Sequence, residues 1–359
     1  MKTDNEAVYG FGNLRDGLTY TSENFKNKID DSTLKELEQK LKKYLKVKHL
    51  FFVSNGTIAL QIAIKALDLK REIITTPFSY IATTSSIVWE NCTPVFADID
   101  PYHLTINPDE IINKITSRTS AILATHVYGN PCDIEAIKKI ADKNNLKIIY
   151  DAAHSFGVKY NNASLLAYGD IATLSLHATK LFHTGEGGAI ITNDDDLAHR
   201  ISYMRNFGHH GEEDFWGLGI NGKNSELHAT LGLAILPYLS QIMNARKTIS
   251  QNYDKLIEKS NNLIKPALRE NTKYNYAYYP VLFKNEKILL KVKQSLNNNG
   301  IYPRRYFYPS LNLINYLYSG KTKMRNSEDI SNRILCLPLY HSLTKSDQKR
   351  IIKIIFESI

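Results

Sequence analysis

The sequence is short of several things, and each shortage removes a class of answer. It has only three cysteines in 359 residues, Cys92, Cys132 and Cys336. They are odd in number, far apart and not in metal-ligand spacing, which argues against a disulfide framework or a thiolate metal site and for reduced thiols in a cytoplasmic protein. Cys336 lies in the apolar run ILCLPL, where a packed thiol is expected. No apolar run reaches the length of a membrane span, and the opening MKTDNEAVYG lacks the apolar centre of a secretion signal. Proline is absent before Pro77, and no internal repeat or low-complexity tract occurs. The formal net charge is +9, but the basic residues are dispersed, and the densest run, KELEQKLKKYLKVK, has glutamates among its lysines. That reads as a solvated helix face rather than a nucleic-acid surface, and no nucleic-acid module accompanies it; small anionic substrates fit a basic enzyme equally well.

What remains is an ordinary globular composition, with 43% hydrophobic and 23% charged residues, long enough for one large domain and a smaller one. Residues from Met1 to about Lys28, with Gly10, Gly12 and Gly17, read as an irregular arm. Leu34, Leu37, Leu41 and Leu45 recur at helical spacing. Then strand-like and helix-like stretches alternate: LFFVS, TIALQIAIKAL, EIITT, a helix near Ile81–Trp89, PVFADID, SAILATH and KIIYD, with helices near Asp109–Ile115 and Asp133–Asn144 between the last three. This alternation predicts a parallel sheet covered on both faces. Acidic NDDD opens a helix after Thr192, and a long helix, broken at Pro237, runs from Asn224-Ser225-Glu226 to about Lys259. A tyrosine-rich strand (Tyr274–Phe283), a helix (Glu286–Leu296), the segment Ile301–Tyr308 and a terminal helix (Lys345–Phe356) follow. The domains are placed at 1–245 and 246–359.

The chemistry gathers between Lys147 and Asn193, where KIIYDAAHSFG, GDIATLSLHATK and GEGGAIITN each end a β-like run in polar residues. In an open parallel sheet such residues meet in one crevice past the strand ends. Asp151 and Lys180 there supply a carboxylate and an amine. An amine that forms a Schiff base with a carbonyl cofactor, and a carboxylate that pairs with its protonated ring nitrogen, is the layout of a pyridoxal-phosphate enzyme. Taken singly, an Asp after a strand is usually a cap and a Lys usually a solvated surface residue; Ser175 and the glycine-rich turn at Gly185, Gly187 and Gly188 shift the balance. Gly56 and Thr57, opening a helix, suit either a phosphate or an ordinary N-cap. Tyr80, in preference to Phe78, could stack on a flat ring, or either could be core. His209-His210 lacks the partners of a metal site, and a surface loop is expected.

In order along the chain, SNGTIAL, TTPFSYIAT, PVFADID, HVYGNPCD, DAAHSFG, SLHATK, GEGGAI and GINGKNSE resemble the DegT–StrS nucleotide-sugar aminotransferases, pyridoxal-phosphate enzymes of fold type I. The resemblance runs from about Leu37 to the LCLPLY segment. It implies an α/β fold, with a mainly parallel sheet in a large domain and a smaller C-terminal α/β domain. It makes Lys180 the Schiff-base lysine and Asp151 the partner of the ring nitrogen, puts His154 near the cofactor's phenolic oxygen, and stacks Tyr80 on the ring. Gly56, Thr57 and Ser175 match the phosphate cradle. Asn221 matches an asparagine that reaches the phosphate from the other subunit of a homodimer. Arg304, Arg305, Tyr306 and Tyr308 fall where the family's small domain approaches the nucleotide sugar. The branch it is most similar to aminates C4 of dTDP-4-keto-6-deoxyglucose with L-glutamate, for surface-polysaccharide sugars such as those of O-antigen. Amination at C3, or a non-catalytic sensor of cofactor or nucleotide sugar, are the alternatives. Two departures stand out: the family usually opens with a proline-containing segment, and Lys223 stands where it often has Arg, so any bidentate anion contact there is expected to be weakened.

Overall fold

The computed structural model describes residues 8–9, 32–258, 260, 262–317 and 322–359. The irregular arm expected at Met1–Lys28 lies outside these, apart from a short strand, Val8–Tyr9, which pairs in parallel with Ile301–Tyr302. Seven strands form the central sheet: β1 (His49–Val53), β2 (Glu72–Thr75), β3 (Thr93–Phe96), β4 (Thr119–Thr125), β5 (Lys147–Asp151), β6 (Ile171–Ser175) and β7 (Gly188–Thr192). Their spatial order is β1-β7-β6-β5-β4-β2-β3.

Successive side chains of a strand point to opposite faces, and the isoleucine-rich strands use both. Ile148 and Tyr150 of β5 join the cluster that contains Leu37, Leu41 and Ile137 from one layer of helices. Ile149 joins the opposite cluster, with Ala59, Leu60, Ala63 and Ile201. Leu37 and Leu41 are fully buried, each contributing about 1.5–3 kcal/mol of apolar burial. The helical spacing of Leu34, Leu37, Leu41 and Leu45 is thus the footprint of the helix Thr33–Leu45 on the sheet.

β2 through β6 are parallel, but β7 runs antiparallel to both β6 and β1. Parallel neighbours need a crossover, usually a helix. The loop from Leu176 to Gly187 contains none, so the chain returns alongside β6 in the opposite sense. That loop carries Lys180.

The long helix expected after Asn224 is two helices, Glu226–Ile235 and Leu239–Ile257, joined by a 3₁₀ turn at Pro237. Proline lacks the N–H that an uninterrupted helix needs there. The second helix passes through Ala245 unbroken; its Ile242 packs in the sheet core, while Ile249, Tyr253 and Ile257 pack in a separate core with Tyr279, Val281, Leu289 and Ile351. The tyrosine-rich strand expected over Tyr274–Phe283 is shorter than its pattern suggests. Only Pro280–Leu282 pairs, with Ile334–Cys336, and Tyr276 has φ 54°. Tyr274 to Tyr279 forms an irregular stretch because its side chains are tied to the loops after β4 and β5 and its carbonyls to Arg246 of the helix Leu239–Ile257, as described below.

Candidate active site

The polar ends of β2, β4, β5 and β6 open onto a cavity of about 570 Å³, closed on its far side by Arg304, Tyr306 and Phe307 from the C-terminal part of the chain. Gly56, Thr57, Tyr80, Asp151, His154, Ser175 and Lys180 all lie on its wall. Residues separated by more than a hundred positions therefore meet in one place.

One end of the cavity is the start of the helix Gly56–Ala66. The Asn55 side chain caps it by accepting the Ile58 N–H at 2.9 Å, and the first turn of any helix presents backbone N–H groups and positive potential to an anion. The chain is tightly folded at this point. A Cβ on Gly56 would sit 3.0 Å from Ser175 Cβ, and one on Gly188 would sit 2.4 Å from the Asn55 carbonyl. Only glycine lets β6, β7 and the helix start approach so closely, and this brings the Ser175 hydroxyl beside the helix terminus.

Asp151 ends β5 and is buried. Its Oδ2 accepts from Thr83 Oγ1 at 2.6 Å and its Oδ1 from the Ala153 N–H at 3.1 Å. Thr83 is itself held by Ser79 Oγ at 2.7 Å, which also meets Thr125 Oγ1 at 3.0 Å. Burial pushes the Asp151 carboxyl above its usual range, opposed by the Thr83 hydroxyl, the Ala153 N–H and the charge of Lys180. Lys180 is half-buried on the cavity wall. Burial pulls its amine down to about 8, against the opposing pull of Asp151. An amine so placed can lose and regain a proton near neutral pH. His154 accepts the Tyr128 N–H at Nδ1, 3.1 Å away, so its proton sits on Nε2. Burial, and then the charge of Lys180, hold it well below its ordinary value and keep it neutral.

Other expected site residues lie elsewhere. Phe78 is fully buried against Tyr128 and Phe307, whereas Tyr80 is 59% exposed at the cavity mouth. Arg304 faces the cavity, but Arg305 points the other way, onto Glu286 at 2.9 Å and over the ring of Tyr308 at 3.5 Å. Tyr308 is half exposed and off the cavity wall. Asn221 is exposed, bridged to Asn206, and likewise not on the wall of the chain's own cavity. Of the histidine pair, His210 stacks on Trp216 and His209 on Phe215; among the described residues no group of three or more His, Cys, Asp or Glu side chains is arranged to hold a metal. Sequence reasoning did not single out Thr83, which donates to Asp151, Tyr278, within 3.5 Å of the Lys180 amine, or His177 and Glu186 on the cavity wall. For Thr83 a signal existed: the helix Ile81–Trp89 carries four hydroxyl residues in a row, three of them buried, and a buried hydroxyl needs a partner.

The sequence pattern of the DegT/DnrJ/EryC1/StrS aminotransferase family matches residues 22–356. The chain belongs to that family. It is therefore an aminotransferase, and the family's enzymes work with pyridoxal phosphate. Among its relatives, a dTDP-4-amino-4,6-dideoxy-D-glucose transaminase from Shigella dysenteriae is 39% identical over 328 residues, which cover 90% of this chain and 89% of the relative. The solved structure of DesI in the presence of its TDP-sugar product superposes with a TM-score of 0.88 at 27% identity, covering 98% of this chain and 92% of that one. NtdA from Bacillus subtilis with bound cofactor PMP superposes at 0.84 and 26% identity, covering 97% and 82%.

The residues on the cavity wall suit that cofactor. The cleft between Gly56 and Ser175, which a single Cβ would fill, suits its phosphate. Asp151, a buried carboxylate with only neutral donors in hydrogen-bond contact, suits a cationic ring nitrogen.

Proposed function

We propose that this aminotransferase moves the amino group of L-glutamate to the C4 keto carbon of dTDP-4-keto-6-deoxy-D-glucose. The observation that carries the reading is the convergence of Lys180, Asp151 and the Gly56–Ser175 cleft on one cavity that Arg304 and Tyr306 close from the other side. The 39% identity to a dTDP-4-amino-4,6-dideoxy-D-glucose transaminase, named for the amino sugar this reaction would yield, supports the choice of substrate.

When bound, pyridoxal phosphate supplies a carbonyl carbon for amine exchange and a cationic ring that accepts an electron pair. The rest is work for the chain's own side chains. Gly56, Thr57 and Ser175 would hold the phosphate with backbone N–H groups and a hydroxyl. Asp151, whose charged form the Thr83 hydroxyl and the Ala153 N–H favour against its burial, would hold a proton on the ring nitrogen through charge pairing. Lys180 is the amine that would hold the cofactor and, when free, the base that would take up the proton of the donor's α-carbon; an amine near 8 is suited to both roles. Neutral His154 would offer its Nε2–H to the cofactor's phenolic oxygen, and Tyr80, at the mouth, would cover a ring face. Arg304 offers a cation to the sugar nucleotide's phosphates, and Tyr306 contributes to its pocket. Arg305 and Tyr308 support this wall from behind.

Asn221, exposed and away from its own cavity, would serve the phosphate of a second copy's site, which makes the working unit a homodimer. The reaction belongs in the cytoplasm, where activated sugars are made, and its product suits a surface polysaccharide such as O-antigen. The test is incubation with glutamate and a panel of dTDP- and GDP-linked keto sugars, followed by NMR location of the new nitrogen. Nitrogen at C4 of the dTDP sugar is expected. Nitrogen at C3, or loss of the cofactor's visible band on adding glutamate without any sugar product, would refute the substrate assignment.

A further inference from the structure

The irregular stretch Tyr274–Tyr279 carries a group that no motif marks. Tyr278 stands behind Lys180, off the main cavity, and its Oη accepts a long hydrogen bond from Lys180 Nζ at 3.5 Å. Its ring has little freedom to move. The centroid lies 4.4 Å from that of His154, 5.8 Å from Tyr128 and 5.9 Å from Tyr306.

The backbone leading to it is tied down as firmly. Arg246, 2% exposed, donates from Nε to the Tyr276 carbonyl at 3.1 Å and from Nη2 to the Ala277 carbonyl at 2.8 Å. Asn275 Nδ2 donates to the carbonyls of His154 and Phe156 at 2.9 and 3.0 Å, and Tyr274 Oη to the Tyr128 carbonyl at 2.9 Å. Burying a guanidinium is costly unless it is well partnered; here its partners include the two carbonyls immediately before Tyr278. The regular strand that the sequence pattern favours gives way to this arrangement.

We infer that Tyr278 is the positioning residue for the Lys180 amine, its hydroxyl fixing where that nitrogen stands whenever it is not bonded to the cofactor. This rests on Lys180 being the reactive lysine. A lysine side chain carries about 2 kcal/mol of rotamer entropy, and a reacting group misplaced by about 1 Å can lose about a hundredfold in rate. A partner at the tip, off the wall of the main cavity, restrains the amine without blocking that cavity. The phenol stays neutral, because burial raises its pKa well above the usual value. It can therefore accept from the ammonium and donate to the free amine.

The other titratable side chains on the cavity wall with Lys180 are Asp151 at the end of β5, His154 after it, His177 on its own loop, Glu186 before β7, Tyr80, and Arg304 and Tyr306 from the far wall. Removing one oxygen from Tyr278 leaves all of them in place, so Tyr278→Phe is the test. In cofactor-free protein, labelling of Lys180 by an amine-directed reagent is followed across pH by mass spectrometry. Loss of an acceptor for the ammonium is expected to lower the labelling midpoint by about half a pH unit. In the loaded enzyme kcat is expected to fall roughly tenfold, with KM for the keto sugar within about twofold and the melting temperature within about 2 °C of wild type. A fluorotyrosine at 278, a weaker acceptor of the same shape, should move the midpoint in the same direction by less. A wild-type midpoint in both variants would overturn the inference, and so would a lower melting temperature with the midpoint unmoved, since that marks packing alone. Borohydride reduction and peptide mapping of the loaded wild type decide separately whether Lys180 is the cofactor lysine. If it is not, the functional reading fails first.

Discussion

Thr83 touches neither the mouth of the cavity nor Lys180, yet its replacement by valine should change the pH dependence of the enzyme. Valine matches threonine in shape and removes only the hydroxyl that donates to Asp151 Oδ2 at 2.6 Å. Among the influences that hold the Asp151 carboxyl down, that hydroxyl ranks ahead of the Ala153 N–H and the charge of Lys180. A hydrogen bond to a charged group contributes about 1.5–3 kcal/mol, and about 1.4 kcal/mol corresponds to one pKa unit, so the carboxyl should rise by roughly one to two units. Ser79 loses one partner but keeps Thr125 at 3.0 Å, which limits the damage to packing. Asp151 must be ionised to hold a proton on the cofactor ring, so activity disappears as pH falls through its pKa. The acid limb of kcat should therefore move up by about one to two units in Thr83→Val, while the alkaline limb stays in place.

Stability of the cofactor-free protein gives a second readout, with the sign fixed by linkage. Asp151 titrates higher in the folded chain than in the unfolded one. Its contribution to stability is thus fully present below the unfolded value and is lost as pH rises through the folded value, and the valine variant extends that window upward. Melting temperature against pH reads this out. An acid limb coincident with wild type at near-normal rate would show that Asp151 does not depend on Thr83, and the account of the carboxylate would fail.

Four further outcomes follow. Lys180→Ala should lose turnover and the visible absorbance that comes with a lysine-bound cofactor, as a spectrum of the loaded protein would show; retained full activity would remove Lys180 from its role. Asp151→Asn should cut kcat by at least about a hundredfold at an unchanged fold, measured by steady-state kinetics beside circular dichroism. Gly56→Ala forces a Cβ to 3.0 Å from Ser175 Cβ, so cofactor affinity should weaken about tenfold or more in a fluorescence titration. Asp98→Ala removes the carboxylate that accepts the Asn326 and Ser327 N–H groups at 2.8 and 2.9 Å at the start of the helix Arg325–Arg333. About 2–4 kcal/mol of stability should go with it in urea unfolding.

Much of the site was readable because strand ends announce themselves. Asp151 and Ser175 each follow a run of apolar residues, and the strand ends bring them within one cavity. The glycines at 56 and 188 were visible as punctuation, although only the structure shows that they let three backbone segments touch. Less was readable where pairing decides. Nothing local in GAIIT says that it runs antiparallel; the helix-free loop before it does. Arg304 and Arg305 were grouped as a pair, but neighbours on extended chain face opposite ways, and only the first faces the cavity. Tyr274–Phe283 is rich in strand-favouring tyrosine, yet Arg246 and Asn275, binding carbonyls at a distance, hold Tyr274–Tyr279 out of the sheet. Those contacts join residues some 30 to 120 positions apart and leave no local trace.

The central claim is that Lys180 and Asp151 act on one cofactor molecule from opposite ends. A crystal structure of the protein loaded with pyridoxal phosphate tests it directly. The expected result is continuous density from Lys180 Nζ to the cofactor's carbonyl carbon, with a carboxylate oxygen of Asp151 within about 3 Å of the ring nitrogen. A cofactor joined to another lysine, or a ring nitrogen facing away from Asp151, would contradict it.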